Sequence, residues 1–130
     1  MANHYYIAKT LPGFDFDATV EAVVKALGDE GFGVLSDIDV SATMKAKLGE
    51  DFHPYRILGA CNPTLAHKAL SAEDKIGVML PCNVIVQAVD DGVEVAAVNP
   101  AVAMARVDNS ALMPIAEEVR GRLECVIDAI

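Results

Sequence analysis

Two Cys-Asn pairs have the residue types and spacing best suited to chemistry. Cys61-Asn62 lies in Tyr55-Arg56-Ile57-Leu58-Gly59-Ala60-Cys61-Asn62-Pro63, and Cys82-Asn83 in Leu80-Pro81-Cys82-Asn83-Val84. Each is predicted at a strand end or bend. A thiol near a helix N-terminus faces oriented N–H groups and the positive end of the helix dipole, which favour the thiolate. Cys61 is predicted in that position, just ahead of an Asn cap. If the strands carrying Cys61 and Cys82 are neighbours, the pair suits redox, sulfur-transfer or soft-metal chemistry. Asn62 and Asn83 could orient a ligand or donate to an oxyanion. Arg56, beside Tyr55, offers a planar fork for an anion. The candidate ligand-binding set is Tyr55, Arg56, Cys61, Asn62, Cys82 and Asn83, with Cys61 and Cys82 as the candidate catalytic thiols.

Each of these residues also has a plainer role open to it. Free cysteine is among the most buried residue types, and Ile57, Leu58, Val84 and Val86 surround both thiols in sequence. Asn62 followed by Pro63 is a helix cap with proline at the first helical position. Asn83 can satisfy backbone groups around a bend at Pro81. Arg56 can pair with one of the chain's many acids. Cys125 falls within the apolar face of the last helix and reads as packing. His67 stands six residues after Cys61 and does not face the cap, so local spacing supports no Cys–His pair. His4, His53 and His67 form no H-x-H or H-E-x-x-H pattern, and no metal site is predicted. No Walker, G-x-S-x-G, zinc-deaminase or dinucleotide-loop motif occurs, so the residues name no cofactor.

The elements that must position these residues follow from periodicity and punctuation. His4–Lys9 reads as a first strand, followed by a Leu-Pro-Gly turn. A helix capped by Asp15 or Asp17 runs to about Glu30, with Val20, Val23, Val24 and Leu27 as its core stripe. Gly31 is a natural left-handed stop. Val34–Val40 alternates strictly, which puts Val34, Ser36, Ile38 and Val40 on one face. Asp37 and Asp39 then share the other, a solvated face. A short helix from Ser41 to Leu48, capped by Ser41 and ended by Gly49, leads to a strand over Tyr55–Cys61. A helix of about eight residues follows Asn62-Pro63.

Ile76–Val89 is the longest uncharged run. It is too short for a membrane span of about 18–20 residues and reads as a buried strand or strand pair bent at Leu80-Pro81. Asp91-Gly92 marks a hairpin into a return strand over Val93–Val98. Asn99-Pro100 repeats the Asn-Pro device. Pro114–Ile130 is an amphipathic helix with Ile115, Val119, Leu123, Val126, Ile127 and Ile130 on one face. The whole predicts one α+β domain over residues 1–130, with helices on one face of a mainly antiparallel sheet. The last hairpin and the first strand are expected to share that sheet.

Composition bounds the function. The chain has 130 residues, 53% of them hydrophobic, with a net charge of −9. Mean hydropathy is +0.34. This composition excludes disorder, and the acidity opposes nucleic acid or anionic lipid as a partner, because phosphate contacts want Lys or Arg. Met1–Thr10 shows no leader pattern, and no membrane segment is expected. Three cysteines without a CxxC suggest neither a disulfide framework nor a zinc ribbon, so a reduced, cytoplasmic setting is expected. The apolar strands and the one-sided terminal helix carry more apolar face than one sheet layer covers, which predicts self-association.

Residues Gly31-Phe-Gly-Val, Asp37-Ile-Asp-Val, the Tyr55–Pro63 run and Leu80-Pro-Cys-Asn-Val84 together resemble the bacterial and archaeal domain of unknown function 302 family. The resemblance covers about Tyr5 to Met104. It implies a compact α+β domain with an antiparallel sheet, likened to the TATA-binding-protein fold, and a homodimer. The family's signature positions fall on Tyr55, Gly59, Cys61, Asn62, Pro63, Pro81, Cys82 and Asn83. No reaction comes with the resemblance, and a shared fold does not import DNA binding. The reading that follows is a dimeric domain that holds a small molecule or partner near the two Cys-Asn segments. A thiol enzyme or sulfur carrier using Cys61 and Cys82, and a purely structural domain, are the alternatives.

Overall fold

The computed structural model describes residues 4–130, so the first three residues of the Met1–Thr10 segment lie outside the described residues. Among the described residues five strands form one sheet: β1 (Tyr6–Pro12), β2 (Gly33–Asp39), β3 (Tyr55–Cys61), β4 (Cys82–Val89) and β5 (Gly92–Val98). Their order is β1-β5-β4-β3-β2, and every neighbouring pair is antiparallel. The helices are α1 (Phe16–Asp29), α2 (Val40–Leu48), α3 (Pro63–Ala72), the single turn α4 (Pro100–Ala103) and α5 (Leu112–Asp128). A 3₁₀ helix spans Asp74–Met79. The fold is α+β, with β1 joined to the β4–β5 hairpin as expected.

The core lies between one sheet face and the helices α1 and α5. Leu58, Val84, Val86 and Val95 from the sheet are fully buried there, with Val23 and Leu27 of α1 and Leu123 and Val126 of α5. Burying a side chain of this kind is worth roughly 1.5–3 kcal/mol, so this layer dominates the stability. A second, smaller cluster joins Ala69 of α3, Ile76, Met104, Leu112 and Ala116.

Local chemistry explains the helix starts. Asp15 Oδ2 accepts from the Ala18 N–H at 2.9 Å, and Asn62 Oδ1 accepts from the Leu65 N–H at 3.2 Å. Asn99 repeats the device, accepting from the Ala101 N–H at 3.2 Å. Gly31 at φ +85° and Gly49 at φ +69° supply the left-handed stops.

Several elements differ from their sequence reading. β1 ends at Pro12 rather than Lys9, since a proline is tolerated at the end of an edge strand. β2 does not alternate strictly. Its register shifts between Val34 and Ser36, so Val34 packs on the core while Ser36 and Ile38 point to the other face. Leu35 is the extra residue of this bulge and is exposed. Asp39, not Ser41, caps α2, accepting from the Ala42 N–H at 2.9 Å, and the Ser41 hydroxyl donates to Phe52 O at 2.8 Å. Ile76–Met79 is part of the 3₁₀ helix, and strand structure starts only after the cis Leu80-Pro81 peptide. Cys125 is exposed, because it stands two residues from both Leu123 and Ile127 and so turns away from their face.

Candidate functional site

β3 and β4 pair so that Ala60 lies opposite Cys82. Cys61 follows Ala60 at the end of β3, one residue out of register with Cys82. Gly59, one residue earlier, lies opposite both Ser36 of β2 and Asn83 of β4. A Cβ on Gly59 would fall inside the contact distance of Ser36 Oγ and 2.8 Å from Pro81 Cγ. Glycine is therefore required there for Pro81 to fold over β3 and deliver Cys82 to its position.

Cys61 and Cys82 line a partly open cavity of about 280 Å³. It lies at the junction of the two core clusters. Phe32, Ala60 and Val119 come from the larger cluster, and Ala69, Met104 and Ala116 from the smaller. Asn62 reaches its edge, but its side-chain oxygen is engaged as the cap of α3. The wall is otherwise carbon and sulfur. Leu35 and Leu70 line the cavity and are exposed. Val78 and Met79 are exposed on the 3₁₀ helix that contributes Gly77 to the wall, and Val78 is 88% accessible. Burial pushes the Cys82 thiol up to about 11, and the neighbouring Cys61 adds to the shift. Cys82 is thus a neutral thiol at neutral pH, since a desolvated sulfur disfavours its charged form.

The remaining candidates do not join them. Successive residues of a strand point to opposite faces. Tyr55 lies opposite Gln87, and exposed Asn83 opposite Gly59, on the sheet face away from α1 and α5. Arg56 points the other way. Its Nε donates to Asp37 Oδ1 at 2.8 Å, and its Nη2 donates to Asp37 Oδ2. That bidentate pair, hydrogen bonding first, holds the Asp37 carboxyl below the usual carboxylate range. Tyr55 and Arg56 border a polar depression with Asp15, Asp17 and Asp39. They stand six and five residues along β3 from Cys61, a separation of roughly 17–20 Å at 3.3 Å per residue. One small ligand cannot reach both ends.

The sequence reading missed the far wall: Phe32, Met104 and the Ile115, Ala116 and Val119 side of α5. The one signal available was the Asn99-Pro100 repeat, since Pro100 lines the cavity too. Among the described residues no group of three or more His, Cys, Asp or Glu side chains could hold a metal. No described helix is long and apolar enough to cross a membrane.

A five-stranded antiparallel α+β fold with an apolar, thiol-lined cavity at one end of its central strands defines the class. The model of the domain of unknown function DUF302 matches residues 7–130, and the chain belongs to that family. It is similar to the crystal structure of an uncharacterized conserved DUF302 protein from Bacillus stearothermophilus. The two are 28% identical, cover 96% of this chain and 97% of that one, and superpose with a TM-score of 0.89. None of the curated proteins matches.

Proposed function

We propose that this protein binds a small, uncharged, mainly apolar molecule in the cavity between β3, β4, α3 and α5. One observation carries the reading: a space of about 280 Å³ walled almost entirely by carbon and sulfur. An apolar cavity of about 150 Å³ accepts benzene, so this one has room for a molecule about twice that size. The exposed Leu35 and Leu70 at its wall give an apolar molecule a path from solvent. The protonated Cys82 thiol adds polarizable surface without charge. Binding rather than catalysis is the better reading, since a sulfur titrating near 11 makes a poor resolving thiol at neutral pH. The three free cysteines support a reducing, cytoplasmic setting.

Calorimetric melting with toluene and 1-hexanol tests this. At ten times Kd a ligand adds about 1.4 kcal/mol, or roughly 5 °C for a chain of this length. Ala66→Phe, which fills the cavity, should abolish the shift while the unliganded protein still melts cooperatively. No shift for the wild type with either probe would overturn the reading.

The shared wall position of the two thiols favours one second reading, in which Cys61, the less buried, reacts with an electrophilic ligand held in the cavity. Iodoacetamide should then alkylate Cys61 in the native protein, and toluene should slow the reaction. A thiol that labels only after unfolding would remove this reading.

A further inference from the structure

Among the described residues, three asparagine side chains accept from a backbone N–H at the start of a helix. Two of them use their amide nitrogen as well. Asn99 Nδ2 donates to His4 O at 3.3 Å, and Asn109 Nδ2 donates to Ala72 O at 2.8 Å. Asn62 is the exception. Its Oδ1 holds the Leu65 N–H, while its Nδ2 has no partner among the described residues, although the residue is only 9% accessible. Every fully enclosed side-chain nitrogen and oxygen among those residues is satisfied, so this nitrogen must be reached from outside. It does not open into the thiol cavity, whose wall is almost entirely carbon and sulfur. Gly31 shows where it points. A Cβ on Gly31 would lie 3.0 Å from Asn62 Nδ2 and 3.5 Å from Arg122 Nη1. Gly31 lines a separate depression of about 460 Å³ that Asn62 also borders.

Donors converge on this depression from two helices. At the first turn of α3, Pro63 has no N–H, the Leu65 N–H goes to Asn62 Oδ1 and the Ala66 N–H to Asn62 O. The Thr64 N–H remains, at the positive end of the helix dipole. Thr64 and Lys68 stand four residues apart on one face of α3, and both line the depression. Lys68 has no acidic partner among the described residues, unlike Lys25, Lys45 and Lys75. Glu118 and Arg122, also four apart, line the depression from α5. Arg122 donates through Nε and Nη2 to Glu118 Oε2 at 3.3 and 3.0 Å, and through Nη1 to Glu30 O at 3.1 Å. That pairing neutralises Glu118 and leaves two of the five guanidinium N–H groups over. Lys68 is thus the uncompensated charge of the depression.

We propose that this depression binds a small phosphate, free or esterified, whose oxygens accept from Asn62 Nδ2, the Thr64 N–H and Lys68 Nζ. A carboxylate serves donors lying near one plane. Three phosphoryl oxygens serve donors that arrive from a cap side chain, a helix axis and a helix flank. The net charge of −9 disfavours an extended polyanion, but a single small anion responds to charges within about 8 Å, the screening length at physiological salt. The depression is open and larger than the thiol cavity, so the phosphate has room to carry an organic group. This site stands whether or not the thiol cavity holds a ligand, because its donors face away from that cavity.

A ¹H–¹⁵N NMR titration of the full chain at neutral pH tests the proposal, with inorganic phosphate and phenyl phosphate as probes and ionic strength held constant with NaCl. The Thr64 amide and the Asn62 side-chain amide resonances should shift and saturate, with a Kd of about 10 mM or tighter. Asn62→Asp keeps an oxygen for the α3 cap and replaces the donor by a negative charge. It should weaken binding at least about 30-fold while melting close to the wild type. Lys68→Ala, on the exposed flank of α3, should fold normally and weaken binding about 3–5-fold. Tighter binding of phenyl phosphate assigns the site to an ester, and equal binding assigns it to the free anion. Shifts that rise without saturating up to about 50 mM phosphate, or that NaCl alone reproduces, would overturn the proposal. So would an Asn62→Asp variant that binds phosphate as tightly as the wild type.

Discussion

Replacing Gly59 by alanine tests how the two Cys-Asn segments are held together. The new Cβ would stand 2.8 Å from Pro81 Cγ and closer still to Ser36 Oγ. Carbon contacts settle at about 3.5–4.0 Å, so the Pro81 ring must move by roughly 0.7 Å or more. Gly59 is buried in the pair of ladders that joins β2, β3 and β4, which limits relaxation. Overpacking of this kind costs about 1–3 kcal/mol. For 130 residues the unfolding entropy is about 0.27 kcal/mol per K, so Tm should fall by about 4–11 °C. The assay is a thermal melt with a double-mutant cycle. Ser36→Ala removes the nearer atom and leaves only its Cβ, at 3.6 Å. Gly59→Ala/Ser36→Ala should therefore recover part of the loss, the remainder being the Pro81 contact. A neutral Gly59→Ala, or additive effects in the cycle, would refute the reasoning that this close approach sets the Pro81 turn.

Three further outcomes follow from named contacts. Burial raises Cys82 to about 11, so it stabilises the fold fully below its unfolded value near 9 and loses that contribution as pH rises through 11. Urea unfolding of the wild type against Cys82→Ala should show a difference that shrinks by up to about 2–3 kcal/mol across that window. Asp37 is held low by Arg56, so its contribution is present above the ordinary Asp pKa and lost as pH falls through its lowered one. The pair is partly exposed, and Asp37→Asn should cost only about 0.5–1 kcal/mol near neutral pH, with the difference vanishing in acid denaturation series. Asn62→Ala should cost about 1 kcal/mol by removing the α3 cap, with Asn62→Asp restoring most of it in chemical denaturation.

What was legible in the sequence is what short-range chemistry dictates. The Asp15 and Asn62 caps and the Gly31 and Gly49 stops each depend on a few neighbouring residues, and a hairpin forms close to the Asp91-Gly92 signal, although its two-residue loop is Asp90-Asp91 because Gly92 already pairs with Val89 as the first residue of β5. The bulge at Leu35 depends on β3, because Val34 and Ser36 take partners on different faces only after pairing with Ala60 and Gly59. Ile76–Met79 is as apolar as a strand, and composition does not separate a buried strand from a short helix. The candidate site divides the same way. Cys61 and Cys82 line one cavity because β3 and β4 are neighbours, as the sequence allowed. Tyr55, Arg56 and Asn83 looked like their companions because they are close in sequence, but strand alternation and the length of β3 disperse them. The Met104 and α5 wall is joined to the thiols only by tertiary packing. The apolar surplus is divided: α5 places its stripe on the core, while exposed large apolar side chains include Leu35, Leu70, Val78 and Met79 near the cavity and Ile38 on the outer sheet face.

The central claim is that an apolar molecule occupies the cavity beside Cys61 and Cys82, and Met104 is its built-in reporter. With methionine methyl groups labelled by ¹³C, toluene titrated to saturation should shift the Met104 methyl resonance. Met44 and Met113, which do not line the cavity, should stay in place. A Met104 methyl that does not move at saturating toluene, or that moves no more than Met44 and Met113, would contradict the account.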